Sequence, residues 1–478
     1  MLFKRQFLLL LSALIVSLLI TACSSFGDHS LHPQLMGQNE AANKQLPAQW
    51  QGQKNNSIPS TYRWGFAIPS DVQHMLDKLS NDNISLQVAT IKRQQAGLDL
   101  ELTSGEQLPD VKLSISSRRF ETTSSQGKSW QGQYSIGANA SWEVDLWQRL
   151  ADDIKQKGAL YQAQHYELEA LTQSLQAQLL INWLNLIEQR KLLELNRKNV
   201  INQKRRLHMS EVRLDRGLGA SIDVRNTKTR LLRLQEQQQQ IIYKRDVTTR
   251  QLKRLLGEYP STIFKASTTL PEFSAGPDWL TPHDILLNRP DVLTAEQKLI
   301  GAGYAWQASE KKRLPKLAFN FGFNSRQTHL ADIFDLDTWL ASVTSSLVQP
   351  IFYRGVLKTQ AQKAQLQQQS AWLSYQNILM KAWQEVESAI QHEQLLSKRL
   401  AYLTHAYQQA HGVEQQVEIQ YRSGLATSFE LLSAQRTRTD IASDVIKLTV
   451  SRLKNRVQLQ LALGLPTPAS SNKRIAKL

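Results

Sequence analysis

The chain has 478 residues, 41% of them hydrophobic, and carries 57 Lys+Arg against 41 Asp+Glu, a formal charge of +16. That length holds several ordinary domains or one elongated one. Outside the first 25 residues no apolar run is long enough to cross a bilayer as a helix, which excludes a multi-span helical membrane protein.

The N-terminus reads "MLFKRQFLLLLSALIVSLLITACSS". Lys4 and Arg5 precede an apolar stretch from Phe7 to Ile20, and small residues lead to Cys23, which marks residues 1–22 as an export signal. The segment "ITAC" (20–23) resembles a bacterial lipobox, which implies that Cys23 becomes the lipidated first residue of the mature chain. Ser24 follows it where aspartate would favour inner-membrane retention, so the resemblance points to the outer membrane. Cys23 is the one cysteine, so no disulfide forms within the chain. An exported chain meets little nucleic acid, and the basic balance is not read as a nucleic-acid site. The cluster Lys204, Arg205, Arg206, Arg230, Arg233, Lys253 and Arg254 reads as a solvated helical face, or as a lumen or docking surface of positive potential.

After an N-terminal segment, 23–66, a unit runs over 67–257; a linker, 258–280, leads to a second copy, 281–464, and a tail, 465–478. The copies share landmarks: Gly217 and Gly424 lie 207 apart, Pro109 and Pro315 206, "LWQR" (146–149) and "IFYR" (351–354) 205, Gly257 and Gly464 207. A constant offset in constant order marks an internal duplication.

Each copy opens with a helix. Ser70 with Gln73 predicts a capping box for the first, and Thr281 with Pro282 the start of the second. Two strands of about ten residues follow. Tyr134, Ile136, Ala138, Ala140, Trp142, Val144 and Leu146 alternate with polar residues, beside Val111, Leu113 and Ile115. In the second copy Leu317, Phe319, Phe321 and Phe323 share a face, as do Trp339, Ala341, Val343, Ser345 and Leu347. The stretches 121–129 and 324–332 read as polar loops, and Trp130, Trp142, Trp147 and Trp339 flank the strands as an interfacial belt, with core packing the other reading for Trp142. Asp145 and Pro350 read as strand-to-helix junction residues.

Proline-free helical runs over 148–215 and 353–422 come next, with a coiled-coil seam through Leu168, Leu171, Leu175, Leu179, Leu186 and Leu193. Gly217 and Gly424 sit where each run must reverse, as helix C-caps of positive φ. Shorter helices return over 223–256 and 429–463, with Ser221 and Ser428 as expected caps.

Four amphipathic strands cannot close a barrel, and open edges are not tolerated in lipid, so several chains must share one barrel; three give twelve strands. The expected fold is mainly α with a small β part: a trimeric barrel with four strands per chain, continued by a long helical coiled-coil barrel, with an internal two-fold repeat.

The stretches "LPAQW" (46–50), "YRWGF" (62–66), "ASWEVDLWQRL" (140–150), "NRPDVLTAEQKL" (288–299), "VQPIFYRG" (348–355), "EVESAI" (385–390), "YRSGLATSFELLSAQR" (421–436) and "ALG" (462–464) follow one another in this order. In them the chain resembles outer-membrane efflux proteins of the TolC family, in their lipoprotein (OprM/NodT-like) branch. The resemblance implies a homotrimer in the outer membrane of a Gram-negative bacterium, in contact with outer-membrane lipid and reaching through the periplasm. A periplasmic adaptor and an inner-membrane RND-type pump would be its partners. Gly217, Leu218, Gly219, Ala220, Gly424, Leu425, Ala426 and Thr427 would be the tips an adaptor touches; helix reversal alone also explains the glycines. The family's Asp-Ala-Gln-Arg gate pattern reads "SAQR" here, with Ser433 in place of aspartate and Arg436 kept. The expectation is a gate that relies on Phe429 and on Asp223 pairing with an arginine, with Arg225 nearby; packing of Phe429 between helices is the alternative.

No Walker loop, His-Glu-x-x-His, cysteine pair or Gly-x-Ser-x-Gly is present, so no enzyme, cofactor or metal is expected. His29 and His32 sit in the N-terminal segment, and Asp152–Asp153 and Glu385/Glu387 read as solvated or ion-paired helix residues. Two other functions stay open: the exit duct of a type I protein secretion system, and a pore-less periplasmic coiled-coil lipoprotein.

Overall fold

A computed structural model describes residues 50, 64–124, 127–264, 269–273 and 288–464. The export signal, Cys23, His29, His32, the Thr281 start and the C-terminal tail lie outside the described residues.

The first helical stretch is two helices, α1 (Ser70–Asp82) and α2 (Ile84–Gly105). The Ser70–Gln73 capping box does not form. Extended Pro69 is the cap, its carbonyl accepts from the N–H groups of Val72 and Gln73, and the Gln73 amide instead donates to Asp77 at 3.1 Å. Asn83 makes the break: its Oδ1 accepts from the Leu86 N–H and so caps α2.

Strands β1 (Asp110–Ser124) and β2 (Gly127–Val144) follow, then α3 (Arg149–Asp215) and α4 (Ser221–Leu255). The second copy gives α5 (Pro290–Lys311), β3 (Lys316–Gln327), β4 (Leu340–Val348), α6 (Val356–Arg422) and α7 (Ser428–Leu463). α3 and α6 each have 67 residues, about 100 Å of helix at 1.5 Å per residue.

The strands form one antiparallel sheet in the order β1-β2-β3-β4. The strands are 15, 18, 12 and 9 residues long, so the expected ten holds only roughly. Most of 121–129 is strand, not loop, because the β1–β2 hairpin keeps pairing from Arg118↔Gln133 to Ser124↔Gly127, beyond the last β2–β3 pair at Tyr134↔Gln327. Likewise Asn324–Gln327 belong to β3, and a short 3-10 turn starts at Ala331.

Both strand-to-helix junctions place a non-glycine residue at positive φ: Gln148 at 58° and Arg354 at 51°. They lie 206 apart, which shifts the "LWQR"/"IFYR" alignment by one residue. Asp145 acts as the expected capping type, its two oxygens accepting from the N–H groups of Leu150 and Ala151 at 3.1 and 2.8 Å.

The main core lies where α1 packs on the middle of α3 and the ends of α4 and α7. Trp183, Leu179, Leu184, Leu186, Leu252 and Val457 are fully or almost fully buried there. The seam leucines Leu168, Leu171 and Leu175 pack against this core, and Leu193 is buried farther along α3. Burying each such side chain contributes about 1.5–3 kcal/mol.

Each copy locks the end of its returning helix the same way. Gly257 and Gly464 hold positive φ, and a Cβ on either would lie under 3 Å from Asp82 O or Arg289 Cγ respectively. Asn83 Nδ2 donates to Leu255 O at 2.8 Å, and Arg289 Nη1 donates to Ala462 O at 3.0 Å. Arg289 also holds Asp291 and Glu385 at 2.7 and 2.8 Å. Burial pushes the Asp291 pKa up, but the hydrogen bond and charge of Arg289 outweigh it and leave the carboxyl below its usual range.

Candidate functional site

Two surfaces carry function: the faces of the sheet and the two helix-reversal tips.

The registers align one apolar face across all four strands. Val111 pairs with Ala140, Ala140 with Phe321, and Phe321 with Val343; one step along, Leu113, Ala138, Phe323 and Ala341 align. Val111, Leu113, Ile115 and Val343 are each about 70% exposed in the single chain. The other face is polar, with Ser114, Asn139, Asn320 and Thr344 among its residues. Asn324 and Asn139 bond across it at 3.2 Å. An apolar surface of this size is stable only against lipid or another protein. β1 and β4 keep unpaired outer edges.

Tryptophans flank this face at both ends. Trp142 and Trp147 mark the end that meets the helices, their ring N–H groups donating to Gln107 O and Pro315 O. Trp339 packs against Phe323 with the rings tilted by 35° and their centroids 4.7 Å apart, and Trp130 lies farther out under the Arg119 guanidinium.

At the tips, both glycines hold positive φ, 67° at Gly217 and 79° at Gly424. Each closes the same pair of bonds. Leu218 N–H donates to Arg213 O and Gly217 N–H to Leu214 O; Leu425 and Gly424 repeat this on Gln420 O and Tyr421 O. In this C-cap motif the residue after the glycine commonly packs back on its own helix. Leu218 and Leu425 instead stand 69% and 81% exposed. Ile222 and Phe429, related by the same 207-residue offset, are also exposed, 64% and 77%.

The expected serine caps fall one residue off, because Ser221 and Ser428 are already the first helical residues. Thr427 caps α7 through a complete capping box with Glu430. The bonds from Thr427 hold the Glu430 carboxyl below its usual pKa. Ala220, its counterpart, has no capping side chain. Asp223, the counterpart of Glu430, accepts instead from Ser428 Oγ at 2.8 Å and so ties the two tips together.

Among the described residues of one chain, then, Asp223 is held by a serine and not by an arginine. Arg225 and Ser433 are exposed, and Arg436 lies 3.6 Å from Asp440 on its own helix. Phe429 is not packed between helices of its own chain. Composition and motif gave no sign of the ion pair between Glu414 and Arg438 at 2.7 Å, which joins α6 to α7 behind the tip. The adjacent Asp152 and Asp153 are ion-paired, to Lys311 and Arg149 respectively. Among the described residues no cluster of His, Cys, Asp and Glu has the makings of a metal site, and no helix is long and apolar enough to cross a membrane.

An open-edged sheet with one lipid-compatible face, continued by paired helices of about 100 Å, defines a subunit of an outer-membrane channel. The chain belongs to the outer membrane efflux protein family, whose model matches residues 75–258 and 281–465. The pyoverdine export outer membrane protein OpmQ of Pseudomonas putida is 25% identical over 87% of this chain and 91% of its own. The probable outer membrane lipoprotein SilC of Salmonella typhimurium is 23% identical over 88% and 92%. The solved outer-membrane channel OprN superposes with a TM-score of 0.80 at 20% identity, covering 87% of this chain and 94% of that one, which establishes the shared fold. The chain is thus a channel component of an efflux system in the outer membrane, not an enzyme.

Proposed function

We propose that three copies of this chain form the exit duct of a tripartite efflux system, passing small molecules handed over by an inner-membrane RND-type pump and a periplasmic adaptor. The carrying observation is the sheet: one continuous apolar face with β1 and β4 both open. Pairing β4 of one copy with β1 of the next closes twelve strands and leaves no edge in lipid. The polar face then lines the lumen. Cys23 anchors each copy by its lipid. The relatives' names point to exported small molecules rather than proteins, which favours efflux over the secretion duct.

The tips 217–220 and 424–427 dock the adaptor, and Leu218 and Leu425 are the exposed side chains it would cover. Phe429, Asp223, Arg225, Ser433 and Arg436 form the periplasmic gate, with tripled Phe429 as its apolar ring. Asp223 reaches an arginine only across a subunit boundary, since its own chain supplies Ser428.

A photo-crosslinking residue at Leu425 tests docking in living cells. Capture of an adaptor is expected; crosslinks to its own subunits alone, with the adaptor present, would end the docking assignment. Phe429→Ala should raise single-channel conductance of the trimer several-fold, and an unchanged conductance removes Phe429 from the gate.

A further inference from the structure

Behind the tips, a small polar cavity lies between the two helical hairpins of one chain. Its volume is about 20 Å³, and α3, α4 and α7 supply most of its wall, among them Arg206, Arg230, Gln435 and Arg436. A space of that size holds one water or one monatomic ion.

The wall carries four arginines, Arg206, Arg230, Arg436 and Arg438, against one carboxylate, Glu414, and the carboxylates just outside it are engaged as well. Glu414 is taken up by Arg438 and Asp440 by Arg436, while Glu418 is held by Arg422. Arg206 and Arg230 are left half-buried without an ion pair among the described residues. Burial lowers the pKa of both, ahead of the opposing pull of Glu414 and Asp440. Gln435 is 93% buried, yet neither its Nε2 nor its Oε1 has a hydrogen-bond partner. A wholly unsatisfied buried amide is uncommon and calls for a missing partner. Two half-buried guanidiniums that make no direct ion pair, beside an amide N–H, call for an anionic one.

We infer that this cavity binds a single small inorganic anion of chloride's size, held by Arg206, Arg230 and Gln435 Nε2, and that the anion ties the α3–α4 hairpin to the α6–α7 hairpin. Its wall is drawn from both copies of the repeat, so separating the hairpins takes the site apart. An anion bound only to the joined state therefore holds the entrance shut, by mass action. That consequence rests on the channel reading; the site itself does not.

The first test is a structure of the full-length trimer with bromide replacing chloride. An anomalous peak is expected in each of three equivalent cavities, and density for water without anomalous signal overturns the site. The second is single-channel recording at constant ionic strength, with chloride replaced by gluconate, which is too large for the cavity. Open probability should rise several-fold in gluconate. A bromide peak with no such change would mean an adventitious ion only and would overturn the tie.

Two variants at one position separate the site from general loosening. Gln435→Glu supplies the negative charge from the chain, so the entrance should stay shut and ignore the anion. Gln435→Leu supplies neither donor nor charge, so the entrance should open more often and also ignore the anion. The same direction of change in both variants, or retained anion sensitivity in either, would sink the proposal. Survival of the bromide peak in a trimer that does not conduct would separate failure of the channel reading from failure of the site.

Discussion

The two tips have one backbone and two chemistries. Gly217 and Gly424 make the same turn with the same pair of bonds, yet the helices that leave them start differently. The α7 tip is self-sufficient: Thr427 and Glu430 satisfy its first N–H groups within four residues. The α4 tip has Ala220 at that place, and its carboxylate, Asp223, reaches across to Ser428. A duplicated unit has been kept as a backbone and divided as a device. One tip holds itself, and the other is held by its neighbour.

The opposite end of each returning helix shows the same division with stronger forces. Asn83 offers one neutral hydrogen bond to Leu255, whereas Arg289 offers Ala462 a charged one and clamps Asp291 and Glu385 as well. Arg289→Met should cost about 2–3 kcal/mol, lessened by the water that reaches both carboxylates, while Asn83→Ala should cost about 1 kcal/mol at the Leu255 contact and about 1 kcal/mol more through the lost α2 cap. Hydrogen exchange at residues 459–464 against 252–257 in the purified trimer reads each loss locally, and equal losses would erase the distinction. The folded Asp291 carboxyl titrates below its unfolded value. Its share of the clamp is therefore complete above a pH of about 4 and fades as pH falls through the lower folded pKa.

The next effect is at the caps. Thr427→Ala should destabilise the start of α7 by about 1 kcal/mol, and Ala220→Thr should stabilise α4 by a similar amount. Faster exchange at 428–431 in the first variant and slower exchange at 221–224 in the second check the pair. If Thr427→Ala leaves its tip unchanged, the tips do not differ in self-sufficiency.

Much of this was legible in the sequence. The long helices, their glycine reversals and the apolar sheet face follow from period and punctuation, because 3.6-residue and 2-residue patterns persist over many residues. The 207-residue offset alone pairs Phe429 with Ile222 and Glu430 with Asp223. Caps were displaced by one residue, since serine and threonine suit both the cap and the first helical position, and only φ and ψ decide. The length of the β1–β2 hairpin was hidden because Thr, Ser and Lys serve a loop and an exposed strand alike. The neighbours of Arg206, Gln435 and Arg289 were out of reach, as each partner lies on another helix and no periodicity encodes a contact between helices.

The smallest expected effect is the most telling about the tips. Ser428→Ala removes the hydrogen bond between Asp223 and the other tip and leaves both glycine turns and the Thr427 cap in place. Water reaches this bond, so its net contribution is at the low end for a hydrogen bond, about 0.5 kcal/mol. If the α4 tip is held by its neighbour, exchange should quicken at 221–224 and not at 428–431, and the open probability of the channel should rise a few-fold. Asp223→Asn should do less, because an amide oxygen still accepts from the hydroxyl. Equal loosening of both tips would show that Ser428 serves α7 itself. No loosening at all would show that the first tip, despite its missing cap, is held by its backbone turn alone.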